Sequence, residues 1–205
     1  MKLTRLPIDA AIPHLQSGDI AFYRVTRKFG WSWFLEKAIS WWQNSPYIHV
    51  GLILIKEDGP WVIDMSAFSG GREIPLAGDL EDYEVDIYRA NQETSTRIMF
   101  KEIMVLQETH RFNVERIFER ARKLIQKPYS WRSNLRIMFE RWMRYDRLTN
   151  EAARVRDVNC AILVGAAYSE TGFDLCPRVS PRFVTPDRLA RSAMIDYLCT
   201  IDRVK

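Results

Sequence analysis

Two apolar runs separated by a short turn constrain the fold of this 205-residue chain more than any other feature. The runs are HVGLILI over residues 49–55 and WVIDMSA over 61–67, and the residues between them are KEDGP. β-Branched residues on both sides of a Gly-Pro turn are typical of a β-hairpin. We therefore expect two antiparallel strands here.

The rest of the chain is predicted to be strand-rich in its first half and helical in its second. Apolar alternation predicts strands over 19–25 and 84–90, and an aromatic cluster predicts a short helix over 29–42. Three further helices are predicted, and they run from the cap residue Asn113 to before Pro128, from Ser133 to about Arg147, and from Cys160 to Gly172.

Length and composition fit one globular domain over 1–205. With 47% hydrophobic and 27% charged residues, the chain is unlike disordered, collagen-like and disulfide-scaffold proteins. Cys160, Cys176 and Cys199 are too few for a disulfide framework or a four-ligand zinc site. The N-terminal residues lack a signal-peptide pattern, and no stretch approaches the roughly 18 apolar residues of a membrane span. We expect a soluble, cytoplasmic protein.

The net charge of +4 is unevenly distributed along the chain. Residues 111–156 hold 13 Lys and Arg against 5 Asp and Glu, a local charge of +8, so the other residues carry −4. The helix predicted from Ser133 contributes Arg136, Arg141, Arg144 and Arg147. Such a segment is either a solvated helical face or a contact for phosphate, anionic lipid or an acidic polymer.

Four of the seven tryptophans lie between Trp31 and Trp42. Indole rings bury well but favour a wet edge, so this segment is predicted to be core, with a groove wall, a lid or an interfacial patch as alternatives. Trp31, Trp42, Tyr47 and Ser66 are the candidate substrate-binding residues.

Cys160 is the candidate reactive residue. It opens an apolar helix directly after Asp157-Val158-Asn159, which suit an N-cap, so its sulfur is expected near the positive end of the helix dipole. Proteins lower a thiol pKa from about 8.5 by a helix N-terminus or by a nearby imidazole. A structural cysteine at a helix start is the alternative interpretation.

His49 is the candidate base among the three histidines, because it begins an apolar strand on which an imidazole needs a partner. If Ile55 pairs with Pro60, the numbers of paired residues sum to 115. His49 then faces Ser66 and has Asp64 as its diagonal neighbour on the same face. A slip of one residue would turn Asp64 to the opposite face, where it would point to solvent.

Six motifs, taken in their order, resemble a known family. They are Ser17-Gly18-Asp19-Ile20-Ala21-Phe22, His49-Val50-Gly51-Leu52, Val62-Ile63-Asp64, Lys127-Pro128-Tyr129, Asn159-Cys160 and Val184-Thr185-Pro186-Asp187. They look like the circularly permuted NlpC-like papain-fold hydrolases of the YiiX/YaeF type, in which the histidine strand precedes the cysteine helix. The resemblance implies an α+β fold with an antiparallel sheet or small barrel packed against helices. It covers about 15–190, with a basic helical insertion over about 132–156.

The resemblance also implies roles for four residues. Cys160 would be the nucleophile, His49 the general base and Asp64 the group that fixes the imidazole tautomer. Tyr129 would donate its hydroxyl to the oxyanion alongside the Cys160 backbone N–H. The family more often has glutamate where this chain has Asp64. No cofactor and no metal are expected.

The implied activity is hydrolysis of an amide, in a murein peptide or a similar γ-glutamyl or isopeptide substrate, through a thioester. Without a signal peptide, a murein substrate requires cytoplasmic recycling, specialised export or delivery by a phage particle.

Three alternatives to this activity remain open. The first is a thiol acyltransferase of the lecithin:retinol type, with peripheral membrane contact through the tryptophans and arginines. The second is a non-catalytic binding module, with no specific nucleic-acid motif. The third is a zinc site at His49, Asp64 and Cys160.

Overall fold

The computed structural model describes residues 4–25, 40, 45–67, 69–91, 113–129, 158–177, 179 and 184–203. Two predicted helices lie outside these residues, namely the aromatic helix over 29–42, apart from Ser40, and the basic helix over 133–147. Six of the residues singled out above therefore lie outside them too, and these are Trp31, Trp42, Arg136, Arg141, Arg144 and Arg147.

Seven strands form one sheet. They are β1 (Arg5–Leu6), β2 (Ile20–Val25), β3 (Tyr47–Lys56), β4 (Gly59–Ser66), β5 (Gly70–Pro75), β6 (Tyr83–Ala90) and β7 (Ile195–Ile201). Their spatial order is β1-β7-β6-β2-β3-β4-β5. Neighbouring strands are antiparallel except for β1 and β7, which are parallel. The expected sheet is therefore present, with β1 and β5 at its edges in the described part of the chain.

The helices of the described residues are α1 (Ile8–Ala11), α2 (Leu76–Asp79), α3 (Val114–Ile125), α4 (Cys160–Ser169) and α5 (Pro186–Ala190), with a 3-10 turn at Ile12–His14. Helix α3 has the predicted bounds. The Asn113 side chain accepts a hydrogen bond from the Arg116 backbone N–H over 3.1 Å, and the helix ends before Pro128. Among the described residues, no helix has the length and apolar character that a membrane span needs.

Buried residues form two clusters, and alternate residues of β2 belong to different clusters. Ile20 and Phe22 pack in the cluster that includes α3 and α4, whereas Ala21 and Tyr23 pack with residues of α1 and α2. Successive side chains of a strand point to opposite faces, so the sheet has helices on both faces. A mixed α+β architecture results.

Helix α4 is buried on its whole circumference. Every residue from Cys160 to Tyr168 is buried. The helix packs against β3 and β4 on one side and against α3 and α5 on others, so each face meets protein. Burial of nine consecutive apolar residues makes α4 the central helix of this face and fixes the position of its first residue, Cys160.

The hairpin register is the predicted one. Ile55 pairs with Pro60 and Gly51 pairs with Asp64, so the residue numbers sum to 115 along the whole ladder. Three strands, β1, β5 and β7, have no counterpart in the sequence prediction. Strand β5 matters most for the site, because it pairs with β4 and carries Arg72 opposite Asp64.

Candidate active site

Cys160 is the first residue of α4, and its neighbour Asn159 caps that helix. The Asn159 side-chain oxygen accepts a hydrogen bond from the Ile162 backbone N–H over 2.9 Å, and both residues are buried. The side chain of Asn159 therefore satisfies one of the free N–H groups of the first turn, and the others remain near the start of the helix. The Cys160 thiol lies at this positive helix end, as the sequence predicts.

The His49 ring hydrogen-bonds to an aspartate and interacts with the Cys160 thiol. Its Nε2 is 2.8 Å from Asp64 Oδ2, and the Cys160 thiol is near enough to the ring to raise the pKa of His49. An ionised carboxylate only accepts hydrogen bonds, so Nε2 carries the hydrogen in this pair. The other ring nitrogen, Nδ1, is therefore the one available to Cys160.

The surroundings of His49 favour its charged form. Burial alone lowers the pKa of the ring, but the negative charges and hydrogen bonds of Asp64 and Cys160 outweigh burial and raise the pKa to about 10.

A glycine makes room for the contact between His49 and Asp64. Gly51 lies opposite Asp64 in the β3–β4 ladder. A Cβ atom on Gly51 would lie 2.5 Å from Val62 Cγ1 and 3.1 Å from Asp64 Cβ, both closer than van der Waals contact. The absence of a side chain at Gly51 therefore leaves the space through which Asp64 approaches the ring.

Arg72 holds Asp64 from the other side, and sequence analysis did not identify it. Arg72 lies directly opposite Asp64 in the β4–β5 ladder. Its Nε donates to Asp64 Oδ1 over 2.7 Å and its Nη2 donates to Asp64 Oδ2 over 2.8 Å. Arg72 also forms an ion pair with Asp79 of α2, at 3.3 Å. The signal in the sequence was Gly70-Gly71 before Arg72, a turn-and-strand pattern that follows β4 directly.

The pKa values of Asp64 and Asp79 are shifted in opposite directions by their surroundings. Burial raises the pKa of Asp64, yet the charge and hydrogen bond of His49 and the hydrogen bonds of Arg72 lower it overall. Burial raises the pKa of Asp79, and the charge of Arg72 offsets only part of that rise. Asp64 is thus the carboxylate that the site stabilises in its ionised form.

Tyr129 lies close to the start of α4 along the backbone. It forms an isolated parallel bridge with Val158, two residues before Cys160, and its side chain is half-buried against the main core cluster. The bridge holds the backbone of Tyr129 beside the segment that leads into α4 and Cys160.

Tyr47 and Ser66 flank His49 and Asp64 in different ways. The register of the β2–β3 pairing shifts between Tyr23 and Arg24. Tyr47 packs in the same core cluster as Phe22. His49 instead contacts Tyr23, and the centroids of the two rings are 5.2 Å apart. The Tyr47 hydroxyl donates to buried Asp86 over 2.6 Å. Ser66 is half-buried at the end of β4, and its Oγ accepts from the Ser69 backbone N–H over 3.4 Å.

Comparisons with known proteins identify the fold. No family model and no curated protein matches this chain. The crystal structure described as "metalloprotein yiiX from Escherichia coli O157:H7, DUF1105" matches with a TM-score of 0.56 and 14% identity, over 91% of this chain and 98% of that one. The chain therefore shares the fold of that YiiX structure over most of its length. The mixed α+β architecture is consistent with the papain-like fold expected from the sequence.

Proposed function

We propose that this chain is a cysteine hydrolase that cleaves an amide bond, with Cys160 as nucleophile, His49 as general base and Asp64 as the group that orients the ring. One observation carries the proposal. The His49 ring hydrogen-bonds to Asp64 and also interacts with the Cys160 thiol, which lies at a capped helix start. A nucleophile, a base and a third group in this order are the arrangement that activates a thiol.

The first half-reaction forms a thioester. The Cys160 proton passes to His49 Nδ1, and the thiolate attacks the amide carbonyl carbon to form a C–S bond. The carbonyl electron pair moves onto oxygen and gives a tetrahedral oxyanion. Collapse of this intermediate breaks the C–N bond, and His49 gives its proton to the departing amine.

The second half-reaction releases the acyl group. His49, neutral again, takes a proton from water as the oxygen attacks the thioester carbonyl. Collapse of the second tetrahedral intermediate breaks the C–S bond, releases a carboxylic acid and returns the proton to Cys160. Asp64 accepts the Nε2 hydrogen throughout and stabilises each imidazolium that forms.

Two donors are assigned to the oxyanion. The Cys160 backbone N–H belongs to the first turn of α4, where N–H groups lack partners within the helix. The Tyr129 hydroxyl is the second donor, and the Tyr129–Val158 bridge supports its placement near the nucleophile. Removing one donor of this kind typically lowers the rate by about 100-fold.

The substrate class proposed from the family resemblance is a murein peptide or a similar γ-glutamyl or isopeptide amide. The proposed catalytic core is a single permuted papain-like domain over about 15–190, because the His49 strand precedes the Cys160 helix. The basic segment over 132–156 joins Tyr129 to the α4 region and is proposed to shape substrate specificity.

The YiiX structure is described as a metalloprotein, so the fit of a metal to this site matters. Among the described residues, no group of three or more His, Cys, Asp and Glu side chains is arranged to hold an ion. The Arg72 guanidinium donates to both Asp64 oxygens, and His49 Nε2 lies 2.8 Å from one of them. We therefore derive no step through a metal. Metal analysis of the purified protein tests this, and a stoichiometric ion that blocks alkylation of Cys160 would contradict it.

The test of the proposed function is hydrolysis of defined amides by wild type and Cys160→Ala. Murein tetrapeptide fragments and a γ-glutamyl amide are incubated with each protein, and the new amine is quantified by mass spectrometry. Wild type should release amine and show an acyl group on the Cys160 peptide after acid quenching, and Cys160→Ala should do neither. Equal cleavage by both proteins would contradict the nucleophile, and no cleavage by wild type would contradict the proposed substrate class.

A further inference from the structure

A buried charged network adjoins His49. It consists of Asp64, Arg72, Asp79 and Tyr23, which come from four different elements of the fold. Asp64 is fully buried, whereas the Arg72 side chain is 28% exposed. The proposed reaction uses Asp64 and assigns no part to the other three residues.

Burial creates a difficulty for Asp64 as the orienting group. A carboxylate without water is destabilised relative to its protonated form, and burial raises the pKa of Asp64 accordingly. A protonated Asp64 would donate its hydrogen to His49 Nε2 rather than accept one. The ring hydrogen of a neutral His49 would then lie on Nδ1, and that nitrogen could not take the proton of Cys160.

Arg72 counteracts protonation through the geometry of its contact. Both Asp64 oxygens accept a hydrogen bond from the guanidinium, at 2.7 and 2.8 Å, in a side-on bidentate pair. Charge-assisted pairs of this kind are stronger than single neutral hydrogen bonds and match the shape of a carboxylate. Oδ2 also receives the His49 Nε2–H, so Asp64 accepts three hydrogen bonds and has no need to donate one.

We infer that Arg72 is a positioning residue, which keeps Asp64 ionised and thereby holds His49 in the tautomer whose Nδ1 can accept the Cys160 proton. The inference rests on the proposed function, because it concerns how that site is activated. Arg72 does not touch the reacting atoms and acts through Asp64.

The other groups around Asp64 set how this arrangement responds to pH. They are His49, Arg72, Asp79 and Tyr23, and Cys160 acts in turn on His49. Burial, together with the charges of Asp79 and Asp64, raises the pKa of the Tyr23 phenol well above its usual value, so Tyr23 stays neutral. Asp79 shares the guanidinium at a longer distance, and its raised pKa makes it the first of the two carboxyls to take up a proton.

The chain contains a matched control for Arg72. Arg89 donates its Nε to Asp19 Oδ1 over 2.7 Å and its Nη2 to Asp19 Oδ2 over 2.8 Å, the same geometry as the Arg72–Asp64 pair. The two pairs are also similarly exposed, at 33% and 1% for Arg89 and Asp19. Arg89→Gln therefore removes an equivalent ion pair that has no contact with His49.

The experiment measures the rate of iodoacetamide alkylation at Cys160 as a function of pH, by peptide mass spectrometry. The variants are Arg72→Gln, Arg72→Lys, Arg89→Gln, Asp64→Asn and the double variant Arg72→Gln with Asp64→Asn. Each is assayed at a temperature well below its own Tm. Arg72→Gln should lower the rate at neutral pH by about 10-fold or more, and Arg89→Gln by less than about 2-fold. Arg72→Lys should lie between them, because it keeps the charge and loses the bidentate contact.

The double variant separates a positioning role from a structural one. If Arg72 acts through Asp64, adding Arg72→Gln to Asp64→Asn lowers the alkylation rate no further. Additive losses in the double variant would overturn the inference, as would a wild-type pH profile in Arg72→Gln. Should Arg72→Gln fail to fold, a wild-type profile in Arg72→Lys would also overturn it.

Failure of the inference differs visibly from failure of the proposed function. If wild-type Cys160 reacts no faster than Cys176 and Cys199, the proposed activation of the thiol is wrong. If wild-type Cys160 reacts selectively and Arg72→Gln matches it, only the role of Arg72 is wrong.

Discussion

His49 and Asp64 form a diagonal cross-strand pair, with Nε2 and Oδ2 2.8 Å apart. Asp64 pairs in the ladder with Gly51, and His49 lies two residues beyond Gly51 on the same strand. Because side chains alternate between faces, this contact exists only in the observed register. The register of one hairpin therefore places a base beside its orienting group.

Gly51→Ala should disturb this pair. The new Cβ would lie 2.5 Å from Val62 Cγ1 and 3.1 Å from Asp64 Cβ, so the hairpin must shift. We expect a loss of about 1–3 kcal/mol in the free energy of unfolding and slower alkylation of Cys160. Urea denaturation and the alkylation assay measure the two effects. Gly78→Ala is the control, because its Cβ would meet nothing within 4 Å and stability should hold. Equal behaviour of the two variants would argue against a tight contact at Gly51.

Asp64→Asn and Asp64→Glu should separate charge from size. Asparagine presents donor hydrogens to Arg72 and carries no charge, so alkylation of Cys160 should slow on the order of 100-fold. Glutamate keeps the charge but adds a methylene in a fully buried site, which should cost about 1–3 kcal/mol of stability. We expect Asp64→Glu to be less stable yet faster in alkylation than Asp64→Asn. The reverse order of rates would contradict an ionised Asp64.

Stability should depend on pH through His49. Its pKa is raised from 6.5 to about 10 by Asp64 and Cys160 against the opposing effect of burial. A raised pKa in the folded state stabilises the fold fully below pH 6.5, and that contribution is lost as pH rises toward about 10. The difference in unfolding free energy between wild type and His49→Gln should therefore shrink over this window. A constant or growing difference in pH-dependent urea titrations would show that His49 is not held as the charged form.

Asn159→Ala should weaken the start of α4. The variant loses the hydrogen bond from the Ile162 N–H to the Asn159 side chain, which should cost about 1 kcal/mol in unfolding free energy. Asn159→Asp keeps the cap acceptor and should retain most of the stability by the same measurement. If Asn159→Ala unfolds at the wild-type urea concentration, the cap does not stabilise the helix that carries Cys160.

Local patterns predicted much of the fold. The turn after Ile55 determined the hairpin register, and Asn113 and Pro128 determined both ends of α3. The start of α4 at Cys160 followed from Asn159 and the apolar run after it. These elements depend on interactions between residues close in sequence, which is why the sequence alone indicates them.

The remaining features depend on contacts between distant segments. Strand β7 pairs with β6, which lies far from it in the sequence, and no local signal links them. Strand β5 is short and contains two glycines, and a Cβ on Gly71 would lie 2.1 Å from the Ile125 carbonyl oxygen. Gly71 therefore serves the packing of β5 against α3, and its neighbour Arg72 gains its partner only once β5 has paired with β4.

The most direct test of the account is the relative reactivity of the three cysteines toward iodoacetamide at neutral pH. Burial and the charge of Asp174 raise the pKa of Cys176 to about 12, and burial also raises the pKa of Cys199, so both should react slowly. Cys160 should be alkylated well ahead of them, and His49→Ala should remove that advantage. Equal alkylation of all three cysteines, or a Cys160 rate unchanged in His49→Ala, would contradict the proposed hydrolase.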